Sequence, residues 1–417
     1  MEFRSLGSLV DRKIGYGIVQ PGASVPKGIP VIKVNNIIAG LNSKDDLDTT
    51  TYETAAKYGR TQLKGGELVV SVVGTIGRTA IVPDSFAGCN LVRATALVDI
   101  TEPWLALWVK YYIDSPAGQA YIDQNLNTTV QPTLNIKSLV EMPIPFYEEQ
   151  DMKCIVSFLK VIDDKISNNN KINDNLLQQA QSVFTDWFVR FTPFADDEFV
   201  ASPIETEIPK SLSMVQIGDI PHILETGRRP KGGAADSGVP SVGAENVKQL
   251  GKFDFSSKKF IPEDFAAKQK TGRINGYELL LYKDGGKPGT FIPHFSMFGE
   301  GFPYTDFFIN EHVFKLDFFN RGKNIFAYFY MQTDYATSWL ANNGGKAAIP
   351  GINQQDVRAI WIYDLDHPQV QQFCRWVEPL FKTIFCNCYE NMRLANLRDM
   401  LLPKLISGKI DVSSIQI

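Results

Sequence analysis

"NKINDNLLQQAQSVF", residues 170–184, returns as "NMRLANLRDMLLPKL", residues 391–405, with no gap in the alignment. Both copies space apolar residues three and four apart, as a helix with one apolar face requires. The first run extends from about Glu148 to Phe191. It carries Ile155, Phe158, Ile162, Ile166, Asn169, Asn173, Leu176, Ala180, Val183 and Trp187 on one stripe. The second extends from about Pro368 to Gly408, where Lys404 and Lys409 flank a glycine suited to a helix stop. A helix of about 40 residues is on the order of 60 Å long. Each apolar face needs a cover, and the simplest cover is the other helix. The expected seam uses Ile155, Ile162, Ile166 and Leu176 against Leu397, Leu401 and Leu405. Asn169 and Asn173 interrupt it, either to fix register or to mark a solvated turn.

Outside the helices the repeat continues. "GIPVIKVNNI" (28–37) matches "GVPSVGAENV" (238–247). "GGELVVSVVGTIG" (65–77) matches "GYELLLYKDGGKPG" (276–289), each a turn, a buried strand and a glycine-rich loop. "VQPTLNIKSLVEMPIPFY" (130–147) matches "AIPGINQQDVRAIWIYD" (348–364), with Pro132 on Pro350 and Asn135 on Asn353. The spacing is far too long for a solenoid, so the chain holds two copies of a domain-sized unit. The expected class is α+β: two similar α/β domains and two long helices. The expected boundaries are 1–147 for the first domain, 148–192 for the first helix, 193–365 for a linker and the second domain, and 366–417 for the second helix and a tail. The stretch 193–212 is acidic, contains three prolines and reads as the linker.

Composition removes several classes of function. Hydrophobic residues at 44% and aromatics at 12% belong to a folded protein. The start "MEFRSLGSLVDRK" has no secretory pattern, and no apolar run approaches a membrane span. Five scattered cysteines suit a reducing cytoplasm. The net charge of −4 means that any nucleic acid must be met by local positive charge or with a partner's help. No Gly-Lys is followed by Ser or Thr, so there is no phosphate-binding loop of the Walker kind. No dinucleotide or adenosyl-cofactor cradle and no Asn/Asp-Pro-Pro-aromatic tetrad is present. The four histidines (222, 294, 312 and 367) stand at no metal-ligand spacing. No catalytic group and no metal site is expected.

The architecture resembles the specificity subunit of type I restriction–modification systems. The likeness is carried by "YGIVQPGASVPKGIPVIKVNNI" (16–37), "SVVGTIGRTAIVP" (71–83), "TGRRPKGGAADSGVPSVGAENV" (226–247) and above all "LRDMLLPKLISGKIDV" (397–412). The first helix departs from it, ending in "QSVFTDWFVRF" (181–191). The resemblance implies a non-catalytic reader of double-stranded DNA, each domain binding one half of a split, asymmetric site. It implies that the helices pack antiparallel, set the spacer and dock two modification subunits. Those partners would bind S-adenosylmethionine and methylate adenine. Motor and restriction subunits using ATP and Mg would join through the complex, in the cytoplasm of a bacterium or archaeon. The rivals are a duplicated protein-interaction scaffold and a degenerate DNA-modifying enzyme.

Polar side chains beside the glycine-rich loops are the candidate DNA contacts, because loops carry function on a rigid scaffold. They are Lys33, Asn35, Asn36, Arg60, Lys64, Arg78 and Arg93 in the first copy. In the second they are Arg228, Arg229, Lys231, Glu245, Asn246, Lys283, Lys287 and Lys346. "GRRPKGG" (227–233) is the densest, three cations among three glycines, suited to phosphates.

Overall fold

A computed structural model describes residues 2–41, 43–45, 47–127, 132–255, 258–286, 289–345 and 350–410. The chain divides into two compact units. Unit 1 holds residues 1–164 and 395–417, and unit 2 holds 165–394.

Unit 1 runs β1 (Glu2–Ser5), β2 (Arg12–Tyr16), β3 (Ile29–Ile32), α1 (Val34–Ala39), β4 (Asp48–Thr50), α2 (Tyr52–Ala56), β5 (Leu68–Ser71), β6 (Thr79–Ile81), β7 (Asn90–Leu91) and β8 (Thr95–Asp99). It continues with α3 (Pro103–Asp114), α4 (Pro116–Gln124), β9 (Leu126–Asn127), β10 (Thr133–Leu134), α5 (Ile136–Val140) and β11 (Pro143–Phe146). One sheet has the order β2-β8-β5-β6, all antiparallel. A second has the order β4-β3-β7, with β3 and β7 parallel. Strands β1 and β11 pair separately. The run Leu68-Val69-Val70 is buried throughout because successive side chains enter different cores. Leu68 and Val70 join Trp108, Val109 and Ile113 of α3. Val69 joins Ile32, Phe86 and Leu91 on the other face.

The 40-residue helix α6 (Glu149–Phe188) begins in unit 1 and ends in unit 2. Unit 2 then runs β12 (Phe199–Ala201), β13 (Glu207–Pro209), β14 (Met214–Gln216), β15 (Ile223–Thr226), β16 (Val239–Val242), β17 (Phe260–Ile261), α7 (Glu263–Lys268), β18 (Leu279–Tyr282), β19 (Phe295–Ser296), β20 (Phe308–Ile309) and β21 (Val313–Asp317). Helices α8 (Arg321–Tyr330), α9 (Asp334–Gly344) and α10 (Gln354–Arg358), then β22 (Trp361–Tyr363), complete its domain. Three sheet orders of unit 1 recur: β15-β21-β18-β19, then β17-β16-β20 with one parallel pair, then β14 with β22. The two domains are therefore the same α+β framework built twice. Helix α11 (Pro368–Ile406) begins in unit 2 and ends in unit 1.

Within each unit the helix segments are antiparallel. In unit 1, Asp163 accepts from Arg398 Nη1 at 2.7 Å and from Tyr111 OH at 2.8 Å, and Tyr147 OH donates to the Ile406 carbonyl at 2.8 Å. Burial works to lower the Arg398 pKa, but the Asp163 and Asp399 carboxylates together outweigh it and hold the guanidinium above its ordinary value. In unit 2, Asn169 is buried and donates to Glu390 Oε2 at 2.7 Å and Asn391 Oδ1 at 2.8 Å. Asn387 donates to Asn173 Oδ1 at 2.8 Å. The asparagines thus lie inside the seam, where paired polar groups fix register. Of the apolar seam residues, Ile155, Ile162 and Leu405 are buried, and Ile166, Leu176 and Leu401 are half-buried. Leu397 is a correction: it is 44% exposed. Its neighbour Arg398 takes the inward place, and one residue along a helix turns the face by about 100°.

Residues 193–212 are also a correction. Within them, residues 199–209 form an antiparallel hairpin, β12 with β13, rather than an open linker. Phe194, Ile208 and Leu212 are buried in the unit 2 core and anchor it. The second helix stops as its sequence demands: Gly408 has φ +68°, and its N–H reaches the Leu405 carbonyl at 3.1 Å. Cys388 is buried and Cys386 exposed, on different faces, and burial pushes the Cys374 and Cys388 thiols up to about 12. Among the described residues, no helix is long and apolar enough to cross a membrane.

Candidate nucleic-acid interface

The loops that carry the candidate residues are held alike in both units. After β2 and after β15 the chain crosses a neighbouring backbone with no space for a side chain. A Cβ on Gly17 would lie 2.1 Å from the Leu91 carbonyl oxygen, and one on Gly227 would lie 1.6 Å from that of Ile309. The turn before the central strand closes on a buried glutamate. Glu67 accepts from the N–H groups of Lys64 and Gly65 at 2.7 and 2.9 Å, and Glu278 from those of Asn275 and Gly276 at 2.8 and 2.7 Å. After β3 and β16 an asparagine closes the turn: Asn36 Oδ1 accepts from Lys33 N at 2.8 Å, and Asn246 Oδ1 from Gly243 N at 3.2 Å. These groups occupy the same places in both copies, so they form the scaffold. The exposed side chains around them are free to differ.

In unit 2 the scaffold gathers candidates from separate parts of the chain. Arg228, Arg229 and Glu245 line one pocket of about 160 Å³ with Lys259, Asn310, Glu311 and His312. Arg229 lies 3.6 Å from Glu311, and His312 Nδ1 lies 2.6 Å from Asp284. Burial works to raise the Glu245 carboxyl, but its hydrogen bond to Lys259 and the nearby cations together hold it below the usual carboxylate range. Lys283 is half-buried, donates to the Glu311 carbonyl at 3.1 Å and so borders the same group. Lys231 is exposed in the following turn. The sequence pattern missed Lys259, Asn310, Glu311 and His312. Lys259 precedes β17 and residues 310–312 join β20 to β21, far along the chain from the Arg-rich loop, so no local sequence signal joins them to it.

In unit 1, Lys33, Asn35, Arg60, Lys64, Arg78 and Arg93 are exposed, each beside a turn. Lys33 forms an ion pair with Asp48. Arg78 is placed by its own N–H, which donates to Ser71 Oγ at 2.8 Å. Two candidates are corrected. Asn246 is buried at 5% exposure, and Asn36 is half-buried and occupied in its turn; both shape the loop rather than face a ligand. Lys287 and Lys346 lie outside the described residues. Among the described residues no group of three or more His, Cys, Asp or Glu side chains could hold a metal ion.

Both units thus present mixed, mainly basic side chains on a common rigid frame, which suits reading a polyanion's base edges as well as its backbone. Known proteins agree. The family described as type I restriction modification DNA specificity domain matches residues 1–178. The chain is 26% identical over 313 residues to the type I restriction enzyme MjaIX specificity subunit of Methanocaldococcus jannaschii, covering 74% of this chain and 70% of that one. It is 28% identical over 179 residues to the EcoBI specificity subunit of Escherichia coli, covering 40% of this chain and 37% of that one. The fold matches the crystal structure of a type I restriction–modification S subunit from M. genitalium, with a TM-score of 0.52, 16% identity, and coverage of 97% and 95%.

Proposed function

We propose that the chain is a DNA specificity subunit of a type I restriction–modification system and that its two units divide the task. Each unit reads one half of a bipartite, asymmetric DNA target, and the long helices set the spacer between the halves. The helices also dock two modification subunits. S-adenosylmethionine, ATP and Mg are bound by the partner subunits, and the complex works in the cytoplasm. One observation carries this reading: the same strand order occurs twice, under surface side chains that differ. A duplicated reader with unlike surfaces fits an asymmetric split site.

The test is to co-express the chain with a modification subunit and map N6-methyladenine in host DNA. A single bipartite motif with a fixed spacer is expected. Exchanging residues 1–147 for those of a homologue should change one half of the motif and leave the other intact. Co-purifying subunits with no DNA binding would favour a scaffold instead, and methyl transfer by the chain alone would favour an enzyme.

Arg228 is exposed beside the glycine crossing and serves as a phosphate contact. Arg228→Ala should weaken binding uniformly across sequences. It should also reduce the slope of log affinity against log salt by about 1. An unchanged slope removes this assignment.

A further inference from the structure

One corner of the small sheet differs between the units in a systematic way. In unit 1, Lys33 follows β3 and pairs with Asp48 on β4, the strand beside it. In unit 2, Glu245 follows β16 and pairs with Lys259, which precedes β17. The register makes these sites equivalent. Asp48 stands opposite Val31, and Lys259 stands opposite Ser241, whose N–H bonds the Lys259 carbonyl at 2.9 Å. Lys33 directly follows β3, while Glu245 sits two residues further into the corresponding turn. Both units therefore place one acid–base pair at the same corner, with the charges exchanged between the two strands.

An exposed ion pair adds little to stability, so the scaffold does not require it. A carboxylate on a DNA-facing surface repels phosphates and needs another reason to be there. Base edges supply one: in the major groove, guanine offers the acceptors O6 and N7, and cytosine offers the N4 amino donor. An ammonium beside a carboxylate matches that pattern. Both groups keep spare capacity, since an ammonium has three donors and a carboxylate about four acceptor sites. In unit 2 the pair also lines the pocket that holds Arg228 and Arg229.

We propose that this corner is the base-reading position of each unit, where the lysine meets guanine and the carboxylate meets cytosine of a G·C pair. The inference rests on the specificity-subunit reading and names the residues that discriminate. The exchanged charges make the two units read the pair in opposite senses relative to their own strands, so one framework yields unlike half-sites.

The test uses the full complex. Lys33→Glu combined with Asp48→Lys keeps the ion pair but reverses it. A merely structural pair would leave the methylated motif unchanged. The proposal expects one position in the unit 1 half to change, and the unit 2 half to stay. Asp48→Asn should relax that same position, with preference for the native pair falling roughly tenfold to a hundredfold. Glu245→Gln should do so in the other half. An unaltered motif at full rate overturns the proposal. So does equal loss on every sequence with a smaller salt slope, which marks phosphate contacts, and so does a wild-type motif with no G·C pair in either half. Absence of any bipartite motif in wild type defeats the functional reading itself, and the inference with it.

Discussion

Glu67→Ala is expected to cost unit 1 about 3–5 kcal/mol, the range for removing one partner of a buried ion pair. The side chain is 2% exposed and accepts from Arg12 Nη2 at 2.6 Å as well as from two turn N–H groups. Alanine leaves the guanidinium and both amides without that acceptor, in a site with little access for water. Arg12 keeps Asp99, so the loss falls mainly on the turn that feeds β5. Hydrogen exchange resolved along the chain should show lost protection across 68–81 and none across 279–296. Glu67→Gln, which retains one acceptor oxygen, should lie between. Unchanged protection with Ala would mean that the turn is held by the strand alone.

Phe184→Ala should be comparably severe, about 3–5 kcal/mol for an aromatic removed from a packed core. Phe184 is 1% exposed, and its ring centroid lies 5.4 to 5.8 Å from those of Phe188, Phe326, Phe329 and Phe373. These rings belong to α6, α8 and α11, so one truncation loosens three helices of unit 2 at once. Ile172, on the same helix but 46% exposed, is the control; its alanine variant should change stability by less than about 0.5 kcal/mol. Thermal melts of the two variants decide the matter, and equal melting temperatures would contradict it.

The long helices were legible because their period persists over ten turns and a glycine marks one end. The observed spans fall within a few residues of the expected ones. The repeat was legible because glycine crossings, capping asparagines and the buried glutamates constrain the same positions twice. Two-residue strands such as β17, β19 and β20 carry no alternation and could not be found that way. Leu397 departs from the apolar stripe because it stands at a level where the seam is polar, at Asp163 and Arg398. Residues 193–212 misled because proline and acidity signal a linker, while three buried apolar side chains decided otherwise. The Arg-rich loop could be read as a candidate. Its partners at 259 and 310–312 could not, since their contiguity is created only by the sheet.

The division of the helices between the units bears on synthesis. Unit 1 is completed by residues from 395 onward, and Tyr147 finds its partner Ile406 across 259 positions of chain. At ribosomal rates of roughly 5–20 residues per second, that gap is on the order of ten to fifty seconds. During that interval the nascent amino-terminal domain has emerged with the Leu402, Leu405 and Ile406 part of its core missing. Its apolar helix face is then bare, which makes the half-made polypeptide a client for chaperones. A frameshift or early stop in the carboxy-terminal stretch would accordingly damage the amino-terminal domain first.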